Sequence, residues 1–110
     1  MKVLFYQTSS GRAPVREFIS ALSQDLQAQV TNAVLVLEDG GAISLPLSKN
    51  LSGILKGLHE LRLKDRTGIY RIFYFIKVKD SIYLVHAFKK KTQQIPQKEI
   101  DVVKSRIREI

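Results

Sequence analysis

The chain has 110 residues, of which 45% are hydrophobic, so it can bury an ordinary core and is expected to form a single domain, residues 1–110. It has no cysteine, no apolar run near the ~20 residues of a membrane span and no signal-like N-terminus; we therefore exclude disulfide and thiolate chemistry and expect a soluble, cytoplasmic protein without a membrane partner. The whole net charge of +8 lies in residues 56–110, which favours a polyanionic partner, although a basic domain with no nucleic-acid role is the plain alternative.

The N-terminal part predicts one strand and two helices. The strand is Lys2–Gln7, and Pro14 suits the first turn of the first helix. Ser23 can cap the second helix, and Asp39–Gly41 can end it with a glycine in the left-handed conformation. Apolar residues at helical spacing form one stripe on each helix: Val15, Phe18, Ile19 and Leu22 on the first, and Leu26, Val30, Ala33, Val34 and Leu37 on the second. We expect the two helices to form a hairpin on one face of a sheet.

Three consecutive strands are predicted in residues 58–92. Their bounds are Leu58–Lys64, Ile69–Val78 and Ile82–Phe88, because β-branched and aromatic residues fill these runs. The turns between them are Asp65–Gly68 and Lys79–Ser81. Connections this short force neighbouring strands to run antiparallel, so we expect a meander.

The segment 42–57 and the C-terminus complete the predicted fold. Pro46 excludes a long helix from the segment 42–57, so we expect a loop with one short turn. Because long loops are often functional and this one leads into the basic sheet, we expect it to border a groove. Pro96 suits the first turn of a last helix, whose apolar residues recur at helical spacing: Ile100, Val103, Ile107 and Ile110. The element order is β-α-α-β-β-β-α, an α+β domain with helices against one face of an antiparallel sheet.

Cationic residues are spaced along the predicted sheet. Alternation places Arg62 on the same face as Glu60 and Lys64, and it places Arg71 on a face with aromatic residues. The third strand ends in Lys89–Lys91. A face that combined these residues would be concave, basic and partly aromatic, which suits a phosphate backbone with bases stacked nearby.

Two strand residues are candidates for chemistry and each has a structural alternative. Arg71 interrupts an apolar and aromatic strand, so it needs an anionic partner or a route to water; an ion pair with Glu60 is the alternative to a functional role. His86 lies in an apolar strand, where alternation groups it with Leu84 and Phe88, and a core histidine is favoured over a catalytic one. Two isolated histidines predict no metal site, and no cofactor is expected.

The sequence resembles a known family in the stretches LHELRLKDRTGIYRIFYF and LVHAFKKKTQQIP and in the terminal helix that follows. These features, in this order, are similar to the RelE/HigB-type toxins of bacterial toxin–antitoxin pairs, and nearest to the phage-derived HigB-like subgroup. The resemblance implies a RelE-like fold with two N-terminal helices packed on the sheet. It also implies a metal-independent endoribonuclease that binds the ribosomal A site and cuts mRNA there. The implied partners are the ribosome, mRNA and a cognate antitoxin, expected to be a helix-turn-helix protein.

The same resemblance assigns residues. Arg71 matches the arginine that acts on the scissile phosphate, Lys90 a second cationic position, and Arg62 the basic residue that closes the ELR segment. Glu60 and His86 are the candidates for proton transfer, since family lysines are replaced here by Leu58 and Glu60, and a tyrosine by Pro96. Contacts with RNA or the ribosome are expected from the remaining polar residues nearby: Lys64, Arg66, Lys89, Lys91 and Thr92.

Two other functions fit the same resemblance. ParE-type toxins share the fold and poison DNA gyrase without cutting RNA. An inactive relative that only binds nucleic acid or an antitoxin is the second alternative, because the family lysines and tyrosine are missing. Mapping of RNA cleavage after induction separates the ribonuclease from the gyrase inhibitor, and unchanged growth would indicate the inactive relative.

Overall fold

The computed structural model describes residues 1–77 and 81–110. The elements in chain order are β1 (Lys2–Phe5), α1 (Pro14–Ser20), α2 (Gln24–Glu38), β2 (Ser48–Asn50), β3 (Leu58–Asp65), β4 (Gly68–Lys77), β5 (Ser81–Lys89) and α3 (Gln97–Arg108). The predicted α+β class is confirmed, and every predicted helix and strand has a counterpart. The predicted end of the second meander strand at Val78, and Lys79 and Asp80 of the turn after it, lie outside the described residues.

The five strands form one mixed sheet in the order β1-β5-β4-β3-β2. The meander of β3, β4 and β5 is antiparallel, as predicted, but β1 pairs with β5 in parallel. The prediction of an entirely antiparallel sheet is therefore wrong at this edge. Short turns force antiparallel pairing only between strands that they join directly, and most of the chain separates β1 from β5.

The strand β2 lies in the segment that was predicted to be a loop. It pairs antiparallel with β3 and is only three residues long. Its sequence, Ser48-Lys49-Asn50, has no apolar alternation that could have predicted a strand. The pairing is supported by burial of Ser48, whose hydroxyl lies 2.7 Å from the hydroxyl of Tyr74.

The helices cover both faces of the sheet, not one as predicted. The α1–α2 hairpin packs on the face of Leu61, Ile72 and Leu84. The helix α3 packs through Val103 on the opposite face, which includes Phe73. The strands are apolar on both faces, so each face needs a cover.

The predicted helix boundaries are largely confirmed. The hydroxyl of Ser23 accepts a hydrogen bond from the backbone N–H of Leu26 at the start of α2. Gly40 ends this helix with φ +81°, which is the left-handed conformation. Pro14 is the first residue of α1, as predicted, whereas Pro96 lies just before α3 in extended backbone.

A β-bulge in β5 changes which side chains share a face. Phe73 pairs with His86 and Tyr74 pairs with Leu84, so Val85 is an extra residue between them. The alternation that groups His86 and Phe88 with Leu84 is therefore broken. Both aromatic side chains lie instead on the face of Phe73, where their rings contact its ring.

Candidate functional site

A cavity of about 230 Å³ opens at the end of the sheet where β3, β4 and β5 meet. Four of its lining residues are cationic: Arg62, Lys64, Arg71 and Lys90. The other lining residues are apolar: Pro46, Leu47, Leu63 and Ile69. No acidic side chain lines this cavity in the described part of the chain. We call it the cationic cavity, and its position confirms that the 42–57 segment borders a groove.

Strand register brings the cations together. Arg62 on β3 lies directly opposite Arg71 on β4. At the end of β5, the backbone N–H of Lys90 donates to the carbonyl oxygen of Ile69 at 2.7 Å, which continues the pairing with β4. The strands β3 and β4 and the residue that follows β5 thus each supply a cation to the same cavity.

Glu60 lies between the two arginines. Its Oε1 accepts a hydrogen bond from Arg62 Nε at 2.7 Å, and its Oε2 is 3.2 Å from Arg71 Nε. The side chains of Glu60 and Arg71 are 1% and 3% exposed, whereas that of Arg62 is 35% exposed. The ion pair that was the alternative interpretation of Arg71 is therefore confirmed. The Glu60 carboxylate contacts Nε of both arginines, so their terminal nitrogens Nη1 and Nη2 can bind other partners.

Two buried nitrogens of Arg71, Nε and Nη1, make no hydrogen bond within the described residues, although Nε lies in the ion pair with Glu60. Its Nη2 donates to the carbonyl oxygen of Gln93 at 3.1 Å, and its Cζ lies 5.9 Å from the centre of the Phe88 ring. Its Nη1 is buried and has no hydrogen-bond partner within the described residues. Buried donors are rarely left unsatisfied, so an unpaired charged donor on a residue that lines the cationic cavity indicates a place for an anion.

Gln93 connects two of the cations and was not recognised from the sequence. Besides accepting from Arg71 through its backbone, it accepts from Lys90 Nζ through Oε1 at 3.2 Å. Its only signal in the sequence is its place directly after the lysine cluster. A glutamine in a loop has no spacing that reveals such a contact.

The structure separates Lys90 from its neighbours in the lysine cluster. Lys89 lies opposite Tyr70, with Nζ 5.7 Å from the centre of that ring, so its side chain is on the α1–α2 face. Lys91 and Thr92 are exposed and do not line the cationic cavity, and neither does Arg66 in the turn after β3. Their roles as contacts for RNA or the ribosome stay predictions.

His86 serves the attachment of α3 and does not line the cationic cavity. Its Nε2 is 3.1 Å from Glu99 Oε1, and its Nδ1 is 3.3 Å from an Arg106 nitrogen that also donates to the Val85 carbonyl oxygen at 2.8 Å. Burial lowers the pKa of His86, and Arg106 adds to this effect while Glu99 opposes it. The ring of Phe88 contacts both His86 and the Arg71 guanidinium, with centre distances of 5.7 and 5.9 Å.

The described residues contain no cluster of three or more histidine, aspartate or glutamate side chains arranged to hold a metal ion. Among the helices of residues 1–77 and 81–110, none has the length and apolar character that crossing a bilayer requires.

The mixed sheet, the helix hairpin and the cationic cavity define a small α+β protein with a site suited to a polyanion. Residues 17–108 match the family model described as phage-derived protein Gp49-like (DUF891). The match takes in most of the chain, so the chain belongs to this family, which is related to the RelE-type toxins. A search of curated proteins gives no match. The resemblance noted from the sequence is thus confirmed for the family, and the HigB-like subgroup stays a prediction.

Proposed function

We propose that the chain is the toxin of a type II toxin–antitoxin system and a metal-independent endoribonuclease that cuts mRNA at the ribosomal A site. The observation that carries the proposal is Arg71, whose Nη1 has no partner within the described residues and which lines one cavity together with Arg62, Lys64 and Lys90. A site of this kind suits a phosphodiester better than an uncharged substrate. Membership of a family related to RelE-type toxins supports the same conclusion.

The proposed reaction is cleavage by the neighbouring 2′-hydroxyl. Its oxygen attacks phosphorus, the bond to the 5′-oxygen breaks, and the products are a 2′,3′-cyclic phosphate and a 5′-hydroxyl. Negative charge grows on the non-bridging phosphate oxygens, and we assign Arg71 Nη1 and Lys90 Nζ to its stabilisation. Contacts of this type contribute about 3 kcal/mol each, or roughly two orders of magnitude in rate.

Glu60 and Arg62 complete the proposed site in different roles. Arg62 is partly exposed at the cavity and can bind a flanking phosphate, while Glu60 lies buried beneath both arginines. Because an arginine Nε lies within 3.2 Å of each carboxylate oxygen of Glu60, we propose that Glu60 positions the guanidinium groups. This geometry, and the separation of His86 from the cavity by Phe88, favours positioning and structural roles over the proton transfer expected from the sequence.

The test compares two lysine variants with the wild type after induced expression, by following growth and mapping transcript 5′ ends. Lys90→Gln removes a cation of the cavity, and Lys89→Gln removes the same charge from the opposite face. We expect wild type and Lys89→Gln to arrest growth and to produce new, in-frame 5′ ends. Lys90→Gln should lose both effects, and its melting temperature should stay close to that of the wild type.

Three results would contradict the proposal. Growth arrest without new 5′ ends would indicate a non-nucleolytic target, as for a gyrase inhibitor. Unchanged growth on expression of the wild type would indicate an inactive relative. Equal activity of Lys90→Gln and Lys89→Gln would show that the cationic cavity is not the site.

A further inference from the structure

A second cavity of about 470 Å³ lies beside the cationic cavity. It is formed by α2, by the segment 42–47 and by β3, and we call it the apolar groove. Pro46, Leu47, Arg62 and Leu63 line both the apolar groove and the cationic cavity. The two are therefore continuous, so a molecule that filled the groove would reach the cations.

The apolar groove concentrates exposed hydrophobic side chains. Leu45 is 65% exposed, Leu47 59% and Val36 42%. Of the five large hydrophobic residues that are exposed in the described chain, these three line the groove. Exposed apolar side chains gathered in one place mark a binding surface, whereas single ones are ordinary.

The lining of the groove favours a protein over RNA as its occupant. No aromatic ring lines it within the described residues, so it offers bases no stacking surface. No acidic side chain lines it there either, and its β3 end carries Arg62, with Lys64 and Lys90 just beyond in the cationic cavity. The complementary partner has apolar side chains along its length and carboxylates at one end.

Backbone contacts indicate that the partner does not add a strand. The carbonyl oxygen of Leu47 accepts from the N–H of Arg62 at 2.8 Å. The Gln29 side chain then takes both backbone groups of Lys64, with Nε2 donating to its carbonyl oxygen at 2.9 Å and Oε1 accepting from its N–H at 3.2 Å. The edge of β3 is thus already occupied here, so recognition must use side chains, as when an amphipathic helix lies in a groove.

We propose that the apolar groove binds an amphipathic helix of the cognate antitoxin, whose apolar face covers Val36, Leu45 and Leu47 and whose terminal carboxylates pair with Arg62 and Lys64. The identity of the partner rests on the proposed function. The antitoxin then blocks the cationic cavity directly, because its carboxylates and an RNA phosphate need the same cations. Antitoxin and RNA binding are mutually exclusive as a result.

The test is a calorimetric titration of the purified chain with the purified product of the neighbouring reading frame. Leu45→Ser removes an apolar contact from the groove, and Leu35→Ser is its matched control, because Leu35 is 54% exposed on α2 and lines a different cavity. We expect Leu45→Ser to weaken binding at least tenfold, since the variant loses the burial of a leucine side chain against the partner. Leu35→Ser should bind like the wild type, and Lys64→Glu should weaken binding by a similar factor and reduce its salt dependence.

Equal affinity of the Leu45→Ser and Leu35→Ser variants would overturn the proposal, and so would absence of binding to the wild type. A ternary complex of the chain, the neighbouring product and a short single-stranded RNA would contradict direct blocking. The titration needs no toxicity, so it remains informative if the wild type neither arrests growth nor cuts RNA, which would contradict the proposed function alone. If the proposed function holds, Leu45→Ser should still arrest growth but should no longer be rescued by the neighbouring product.

Discussion

Arg71 and Glu60 form an ion pair inside the sheet, with Arg71 Nε 3.2 Å from Glu60 Oε2 and the two side chains 3% and 1% exposed. The pair explains how an arginine is accommodated in a strand of apolar and aromatic residues. A buried charge needs a charged partner, and Glu60 on the adjacent strand supplies it. The same contact orients the guanidinium group, so the fold and the proposed site depend on one interaction.

Arg71→Ala is expected to lower the free energy of unfolding by about 3–5 kcal/mol, because it leaves Glu60 as a buried carboxylate without its buried partner. Urea unfolding measures the change. The double variant Arg71→Ala/Glu60→Ala should lose less than the sum of the two single losses, and strict additivity would show that the pair is not coupled.

RNA binding should depend on salt through the cavity lysines. We expect Lys64→Gln/Lys90→Gln to reduce the slope of log K against log salt for a short single-stranded RNA by about 1.4, at about 0.7 per lost phosphate contact. The position of the cationic cavity favours Lys64 and Lys90 as phosphate contacts over Lys89 and Lys91, which the sequence also predicts as RNA contacts. Lys89→Gln/Lys91→Gln removes the same charge outside the cavity, so it should leave the slope near that of the wild type. Fluorescence anisotropy at several salt concentrations gives the slopes. A uniform effect of both double variants would mean that only net charge matters.

Stability is expected to fall as the pH is lowered through the region in which His86 titrates. Burial lowers the pKa of His86 from its usual value of 6.5, so the unfolded chain takes up the proton first. The contribution of His86 to stability is therefore complete above its unfolded-state pKa and is lost as the pH falls below that value. Protonation also puts a proton on Nδ1, which faces Arg106.

Urea unfolding of wild type and His86→Gln at pH 7.5 and pH 5 checks this expectation. The glutamine variant should lose less stability between the two values. His59, whose pKa burial also lowers, is present in both proteins, so the difference between them reports His86. Identical pH profiles would assign the effect to other groups.

Gln29→Ala should destabilise the protein by about 1 kcal/mol, because it removes two hydrogen bonds from the backbone of Lys64. It also uncovers part of the β3 edge, so we expect the variant to aggregate at lower concentration. Gln24→Ala, at the exposed start of the same helix, is the control. Thermal unfolding and light scattering measure the two effects, and equal behaviour of both variants would show that the Gln29 contacts contribute nothing.

Much of the fold could be predicted because its signals are local. Ser23 caps α2 through its own hydroxyl, and Gly40 ends the helix through its own backbone, so single residues in sequence order suffice. The meander strands are recognisable for the same reason, since their composition and the turn at Asp65–Gly68 are contiguous in sequence. The parallel pairing of β1 and the strand β2 depend on contacts with distant segments, and no local pattern contains them.

The sequence predicted which cationic residues form the candidate site, but it did not predict how they are arranged. Alternation grouped Arg62 with Glu60 and Arg71 with aromatic residues, and only the register shows that the two arginines lie opposite each other. Lys89–Lys91 were predicted together as a basic cluster, and only the contacts at the end of β5 show that Lys90 lines the cavity while Lys89 lies over Tyr70. No sequence pattern predicts the contacts of Gln93. Leu47 lines the cationic cavity only because the 42–57 segment folds back along β3.

The extra residue in β5 has a consequence for how the chain can change in length. Before Val85, the even-numbered residues Ile82 and Leu84 lie on the face covered by the α1–α2 hairpin. After Val85, the even-numbered residues His86 and Phe88 lie on the opposite face, which α3 covers. Deleting Val85 would restore regular alternation and keep His86 and Phe88 on the face of Phe73, because His86 would then directly follow Leu84, which lies on the opposite face. Deleting one residue elsewhere in β5 would instead exchange the faces of the residues beyond it, as any one-residue slip does. The strand can therefore be shortened at Val85 without exchanging its two cores, although the core beneath α3 would lose the buried Val85 side chain.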